Sequence, residues 1–308
     1  MERIIIVLVG PTCSGKTKVG ISLAQKLNSE IISADSRQIY KYLTIGTAKP
    51  AEDELSKIKH HFVDFLEPDC DYNVSKFETE ALDKIEFMFV ENKIPIVAGG
   101  SGLYIKALID GIFNSVDVDE EFREELNFKR EKLGNEFIYE ELKKVDPVSA
   151  DKMYPQNWKR VMRALEVYHI TGEPISKFHE EYKREKKYNF VQFGLNWERS
   201  VLYKNIDARV DKMIEEGLVK EVQQILAKGF SKNINALNTV GYKEIISFLE
   251  NEITLDRAIE LIKRNTRRYA KRQLTWFRKD DRIQWISVSS EDDLNTIPNQ
   301  ILNKLQLD

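Results

Sequence analysis

The chain opens on a six-residue apolar run, Ile4 to Val9, then a polar, glycine-bearing turn, then Val19, Leu23, Ala24 and Leu27 at helical spacing. An unbroken apolar run fits a strand covered on both faces, and the spacing that follows predicts a helix over 16–27, so the first unit is β-α. Short strands are predicted at 31–33 and 94–98, each ending in a polar or glycine-rich turn, with a helix at about 74–90 between them. This alternation predicts a parallel, doubly wound sheet. From about 115 to 187 the strand signal gives way to charge-rich helical sequence, with segments at 120–133, 137–144 and 157–170. Strand character returns at 190–197 and 283–288, separated by long helical patterns at 201–228 and 254–278, and a terminal helix is predicted over 292–307. The expected organisation is an α/β core over 1–114, a helical insertion over 115–188, and a remainder of the core with a basic helical segment over 189–308.

With 308 residues the chain has room for two domains or for one carrying an insertion. Hydrophobic residues at 42% and charged residues at 31%, with only 14 Gly and 8 Pro, exclude collagen-like and wholly disordered classes. No stretch approaches the roughly 18 apolar residues of a membrane helix, so no membrane partner and no signal peptide are expected. Cys13 and Cys70 cannot build a disulfide framework or a four-cysteine zinc site, and His60, His61, His169 and His179 lack metal-site spacing with them. A reducing cytoplasm and a monomer are the expectation. His60 and His61 read as ordinary surface or core histidines, and Cys13 as a packing thiol. The net charge of -3 argues against a nucleic-acid partner, but the average hides a segregation: residues 257–282 hold ten bases against three acids.

Three polar clusters follow predicted strands, where open parallel sheets bind ligands. The first is Gly10-Pro11-Thr12-Cys13-Ser14-Gly15-Lys16-Thr17, the phosphate-binding pattern G-x-x-x-x-G-K-[ST]. Its glycines let the chain wrap an anion, its backbone N–H groups and helix start point at that anion, Lys16 neutralises it, and the Thr17 hydroxyl suits Mg2+. The pattern specifies phosphate without specifying which phosphate compound, and it makes the core P-loop NTPase-like. The second cluster, Asp35-Ser36-Arg37-Gln38-Ile39-Tyr40, puts a carboxylate near those phosphates, to hold Mg2+ through water, to accept a proton, or simply to N-cap a helix. The third, Gly99-Gly100-Ser101-Gly102-Leu103-Tyr104, offers close backbone approach and a hydroxyl. Arg160 and Arg163 fall three apart on one helical face, to meet phosphates or a solvated acidic surface. In the segment from Arg267 through Arg272 to Arg278, aromatics interleave with cations, as RNA backbone binding with base stacking requires, or as an amphipathic helix with a solvated basic face would also show.

Together with Thr239-Val-Gly-Tyr-Lys-Glu244 and Tyr269-Ala-Lys-Arg-Gln-Leu-Thr-Trp-Phe-Arg278, these clusters resemble the bacterial tRNA dimethylallyltransferase family, also called tRNA isopentenyltransferases, over about residues 1–285. The resemblance implies transfer of a dimethylallyl group from dimethylallyl diphosphate to N6 of adenosine 37, in tRNAs reading codons that begin with U, with Mg2+ as cofactor. On that reading the loop 10–17 holds a diphosphate and Thr17 the metal. Asp35 takes a proton from the amine, Ser101 aligns the amine or Asp35, and Arg209 and Lys16 face the diphosphate. The implied contacts to the tRNA anticodon stem-loop are Asp35, Ser36, Arg37, Gln38, Ser101, Arg123, Arg160, Arg163, Arg272 and Arg278. Cys13 and Ser101 depart from the commonest pattern, the latter standing where threonine is frequent, and two cysteines leave no zinc finger of the kind eukaryotic relatives carry. The rival functions are a nucleoside or small-metabolite kinase using ATP, and a nucleic-acid-binding NTPase without transfer chemistry.

Overall fold

The computed structural model describes residues 3–112, 118–181 and 187–307. In chain order its first elements are β1 (Ile4–Val9), α1 (Lys16–Lys26), β2 (Ile31–Ser33), α2 (Glu52–Lys57), β3 (His60–His61), α3 (Val74–Val90), β4 (Ile96–Gly99) and α4 (Gly102–Asp110). Next come α5 (Glu120–Leu133), α6 (Asn135–Val145), α7 (Pro147–Ala150), α8 (Trp158–Thr171) and α9 (Ile175–Glu181). The chain finishes with β5 (Asn189–Trp197), α10 (Arg199–Glu215), α11 (Leu218–Ala227), α12 (Tyr242–Leu249), α13 (Leu255–Phe277), β6 (Gln284–Val288) and α14 (Asp293–Leu305).

The strands form one sheet in the order β3-β2-β4-β1-β5-β6, every neighbouring pair parallel. The continuous apolar character of β1 has a direct cause: Ile5, Val7 and Val9 enter one core cluster while Ile6 and Leu8 enter another. Alternate side chains of a strand point to opposite faces, so a central strand covered on both must be apolar throughout. β2 and β4 divide the same way, Ile32 and Val97 to the first cluster, Ile31 and Ile96 to the second. The α/β, P-loop-like parallel architecture expected from the alternation is the one observed.

Several elements depart from the sequence expectation. The pattern at 201–228 is two helices, α10 and α11, interrupted at Gly217, whose φ of 100° opens α11. β3 pairs with β2 through only two residues, His60 and His61, too short to leave a periodic signal. Neither α2 nor α12 was marked by the apolar spacing.

The chain separates into two compact units, residues 1–109 with 186–308, and residues 110–185. The expected boundary at 114/115 lies outside the described residues. The second unit has its own core, in which Leu126, Ile138, Leu142, Val161 and Leu165 are buried among α5, α6 and α8. Its most buried charge is Glu166, 0% exposed, which accepts a hydrogen bond from the Asp119 backbone N–H at 3.0 Å.

Candidate functional site

The site is assembled at the carboxyl ends of the central strands. β1 runs into the loop 10–15, where Cys13 sits at φ 61° and Gly15 at φ 84°, and α1 begins at Lys16. The helix start and these turned peptides direct N–H groups into the concavity, as anion binding requires. The loop is fixed from behind, where Trp197 Nε1 of β5 donates to the Ser14 carbonyl at 3.0 Å. It is fixed from the side by α13, whose Gln273 side chain accepts from Thr12 N–H at 2.8 Å and donates to the Gly100 carbonyl at 2.9 Å. Gln273 is only 6% exposed; its bond to the Gly100 carbonyl is buried and its bond to Thr12 N–H partly so.

Lys16 Nζ bends over the loop and donates to the Pro11 carbonyl at 2.6 Å. Burial lowers its pKa, the charges of Asp35 and Cys13 resist this, and Arg209 lowers it further, leaving it at about 8. Arg209 reaches in from α10, with Nη1 3.4 Å from Cys13 Sγ. The two cations repel each other, as the Arg209 charge acting on Lys16 shows, and a diphosphate between them would relieve that repulsion.

β2 delivers Asp35. Its Oδ1 accepts from Arg37 N–H at 2.9 Å and Gln38 N–H at 3.3 Å, so one oxygen caps the turn 35–38 while the carboxylate lines the cavity. Capping and chemistry are therefore two uses of one side chain. Ser101 hydrogen-bonds that turn: its Oγ accepts from Ser36 N–H at 3.0 Å and donates to Ser36 Oγ at 3.2 Å, and its N–H reaches the Ala34 carbonyl at 3.1 Å. A Cβ at Gly99 would lie 2.2 Å from the Ala34 carbonyl oxygen, so β4 can approach Asp35's strand this closely only with glycine there. Arg37 turns away to donate to the Asn235 carbonyl at 2.7 Å.

These groups share a cavity of about 620 Å³. Thr12 to Thr17, Asp35 to Gln38, Arg209, Arg272 and Gln273 line it, together with two segments that motif reading left without a role, 46–50 and 238–241. Tyr269 lines it too. Burial and the Asp35 charge push the Tyr269 phenol well above its ordinary range, which keeps it a neutral hydrogen-bond donor. Lys49, whose side chain is 3% exposed, is tied to Asp64 and to the Tyr40 carbonyl, which shapes the loop rather than offering a free charge.

The expected RNA contacts fall in different settings. Arg272 lines the cavity and lies over the Tyr269 ring. Arg278 donates to Asn196 Oδ1 at 3.3 Å and lines a smaller groove with Arg199 and Lys271. The basic helix is thus amphipathic as well: Ala270, Gln273 and Phe277 are buried along one side. In the 110–185 unit, Arg123 pairs with Glu166 at 2.7 Å and Arg163 pairs with the same carboxylate, whereas Arg160 is exposed. Gln273 carried a signal that could have found it, because it lies three residues after Ala270 and four before Phe277 on the buried face of α13.

A metal finds few protein ligands. Among the described residues no group of three or more His, Cys, Asp or Glu could hold an ion. The Thr17 hydroxyl and Asp35 carboxylate, both on the cavity wall, form a sparse oxygen set. That set fits Mg2+, which keeps several waters and takes one or two protein oxygens beside substrate phosphates, better than it fits a caged cation.

The IPP transferase family model matches residues 38–280. The chain belongs to the IPP transferase family. It is 47% identical over 290 residues to a tRNA dimethylallyltransferase of Acetivibrio thermocellus, covering 94% of this chain and 93% of that one. It is 46% identical to one from Carboxydothermus hydrogenoformans, covering 99% and 98%. Among solved structures it resembles the tRNA isopentenylpyrophosphate transferase of Bacillus halodurans (TM-score 0.72, 38% identity, 99% and 97% covered). It also resembles a eukaryotic dimethylallyltransferase acting on tRNA (TM-score 0.83, 31% identity), covering 97% of this chain and 77% of that one.

Proposed function

We propose that this transferase moves a dimethylallyl group from dimethylallyl diphosphate to N6 of adenosine 37 in tRNAs reading codons that begin with U. The observation that carries the reading is the single cavity in which a phosphate-binding loop, two half-buried cations and one carboxylate face the same space. A kinase would use the loop for ATP; family membership favours an allylic diphosphate. The bond that forms is N6–C1, the bond that breaks is C1–O, and the pair on that oxygen leaves with the diphosphate. The loop amides, Lys16 and Arg209 stabilise the charge growing there. Bound at Thr17, Mg2+ would supply further neutralisation of the leaving group.

Adenine N6 is a weak nucleophile, so its proton must be taken as the new bond forms. Asp35 is the acceptor, and Ser101 holds the turn that aims it. The carboxylate oxygen not engaged with the turn N–H groups is the one directed to that task. The adenine has to leave the anticodon loop stack to reach a site of this depth. Arg272 and Tyr269 on the wall are placed to receive it by stacking and charge. Arg278, Lys271 and Arg160 are the proposed contacts to the RNA backbone, while Arg123 and Arg163, both held by the one Glu166 carboxylate, set the shape of their own unit. The test is incubation with unmodified tRNA, Mg2+ and labelled dimethylallyl diphosphate. Label in RNA supports the reading; ATP consumption without incorporation by the folded protein overturns it.

A further inference from the structure

Behind the cavity-lining segment that begins at Gly46 lies a heavily hydrogen-bonded carboxylate, Glu221 of α11. It is 9% exposed, and its Oε2 accepts from the backbone N–H groups of Thr44 at 3.1 Å and Ile45 at 2.7 Å. Its Oε1 accepts from Gly46 N–H at 3.2 Å and from Tyr242 Oη at 2.7 Å. Four donors on one buried carboxylate hold a loop that has no regular structure of its own. The Tyr242 ring lies so close over that loop that a Cβ at Gly46 would meet it at 2.4 Å.

The clamped loop has a second set of contacts on its far end. Its Thr47 and Ala48 carbonyls accept from Gln38 Nε2 at 3.2 and 2.9 Å. Gln38 is the last residue of the turn capped by Asp35, and its own N–H donates to Asp35 Oδ1. We propose that Glu221 is a positioning residue for proton transfer at Asp35, acting through the 44–48 loop and Gln38 on the turn that carries the carboxylate. The inference rests on the assignment of Asp35 as proton acceptor made above.

The physical reason is geometric. The Gln38 amide can hold the turn only if two carbonyls converge on it; the Ala48 and Lys49 N–H groups close the loop on the Ile45 and Thr44 carbonyls, and Glu221 takes the Thr44, Ile45 and Gly46 N–H groups that this turn leaves over. A carboxylate is the one side chain that accepts from three consecutive N–H groups and a phenol at once. An amide at 221 would aim N–H groups at backbone N–H groups and spring the loop.

The test is single-turnover transfer at saturating donor and tRNA, with both dissociation constants measured separately. Glu221→Gln is expected to slow transfer by about 30-fold while the donor constant changes less than about twofold, since none of these bonds reaches the phosphate loop. Tyr242→Phe, which keeps the ring over Gly46 and loses one donor, is expected to slow it by about threefold. Gln38→Met is expected to slow it by about 30-fold, and Glu221→Gln with Gln38→Met no further than the slower single variant, because both cut one chain of contacts. Multiplying effects, or donor binding weakened as much as the rate, overturn the proposal. If Glu221→Gln does not fold, Tyr242→Phe paired with Gln38→Met decides by the same criterion. Absence of transfer by the unaltered protein would instead refute the assigned function.

Discussion

Gln273 makes the strongest claim about how the phosphate loop is held, because a single neutral side chain joins two loops that come from different strands. Replacing it with leucine conserves volume but leaves the buried Gly100 carbonyl and the partly buried Thr12 N–H without the partner they share. At about 1–3 kcal/mol for each stranded group, and allowing for partial relaxation, the loss is about 2–4 kcal/mol. In a unit of this size that lowers the melting midpoint by roughly 5–12 °C. Thr12 lies in the loop that grips the anion, so donor affinity falls with stability, by about tenfold or more. Gln273→Glu separates the two bonds. The introduced carboxylate still accepts from Thr12 N–H but faces the Gly100 carbonyl with no proton to give. Its burial raises its pKa, so the defect is full at neutral pH and is repaired as pH falls and the acid form donates to Gly100. Scanning fluorimetry and calorimetric titration with dimethylallyl diphosphate read both effects. If Gln273→Leu melts like the unaltered protein and binds donor equally, α13 is not what secures the loop.

Gly99→Ala drives a Cβ into a backbone oxygen that cannot rotate away, so urea unfolding is expected to show a loss of about 3 kcal/mol, with the turn 35–38 displaced and transfer abolished; a loss under 1 kcal/mol contradicts the close approach. Lys16, with a pKa of about 8, is expected to lose its charge as pH rises through that value, so donor affinity falls by about tenfold from pH 7 to pH 9, while Lys16→Ala binds weakly with no such slope. A flat profile for the unaltered protein would show that the ammonium does not titrate there. Glu30 is pulled the other way: burial would raise its pKa, but hydrogen bonds from Lys93 and His61 and the Lys59 charge outweigh burial and hold it at about 2. Its folded value is depressed, so the stabilisation is present above the ordinary carboxylate pKa and is lost as pH falls from about 4.5 towards 2. Glu30→Gln is expected to cost about 2 kcal/mol at pH 7, narrowing across that acid window, and a gap independent of pH refutes the linkage.

The parts of this molecule that were legible in sequence are those where one physical requirement dominates a short stretch. β1 must be apolar on both faces, and the phosphate loop needs glycine, lysine and threonine at fixed spacing. Helix α3 runs over 74–90 as its spacing indicates, and the fold adds its cap, Asn73, whose side chain accepts from Ser75 and Lys76 N–H. What was hidden depends on partners far apart in the chain. Glu221 looks like any charge on an amphipathic helix until the loop 44–46 is laid against it. Gln273 looks like one polar residue in a basic run until Thr12 and Gly100 meet it from opposite sides. β3, only His60 and His61, owes its existence to the neighbouring β2 and to Glu30, which binds His61 at 2.6 Å. The arginines show the same limit from the other direction. Arg160 and Arg163 share a helical face in the sequence, yet the buried Glu166 takes Arg163 and leaves Arg160 exposed, and that carboxylate lies within the same segment. Charge type and spacing select which residues can contact a polyanion. Which of them are held by a partner within the protein is set by acids whose burial only the folded chain reveals, and in this protein the division runs between residues three apart.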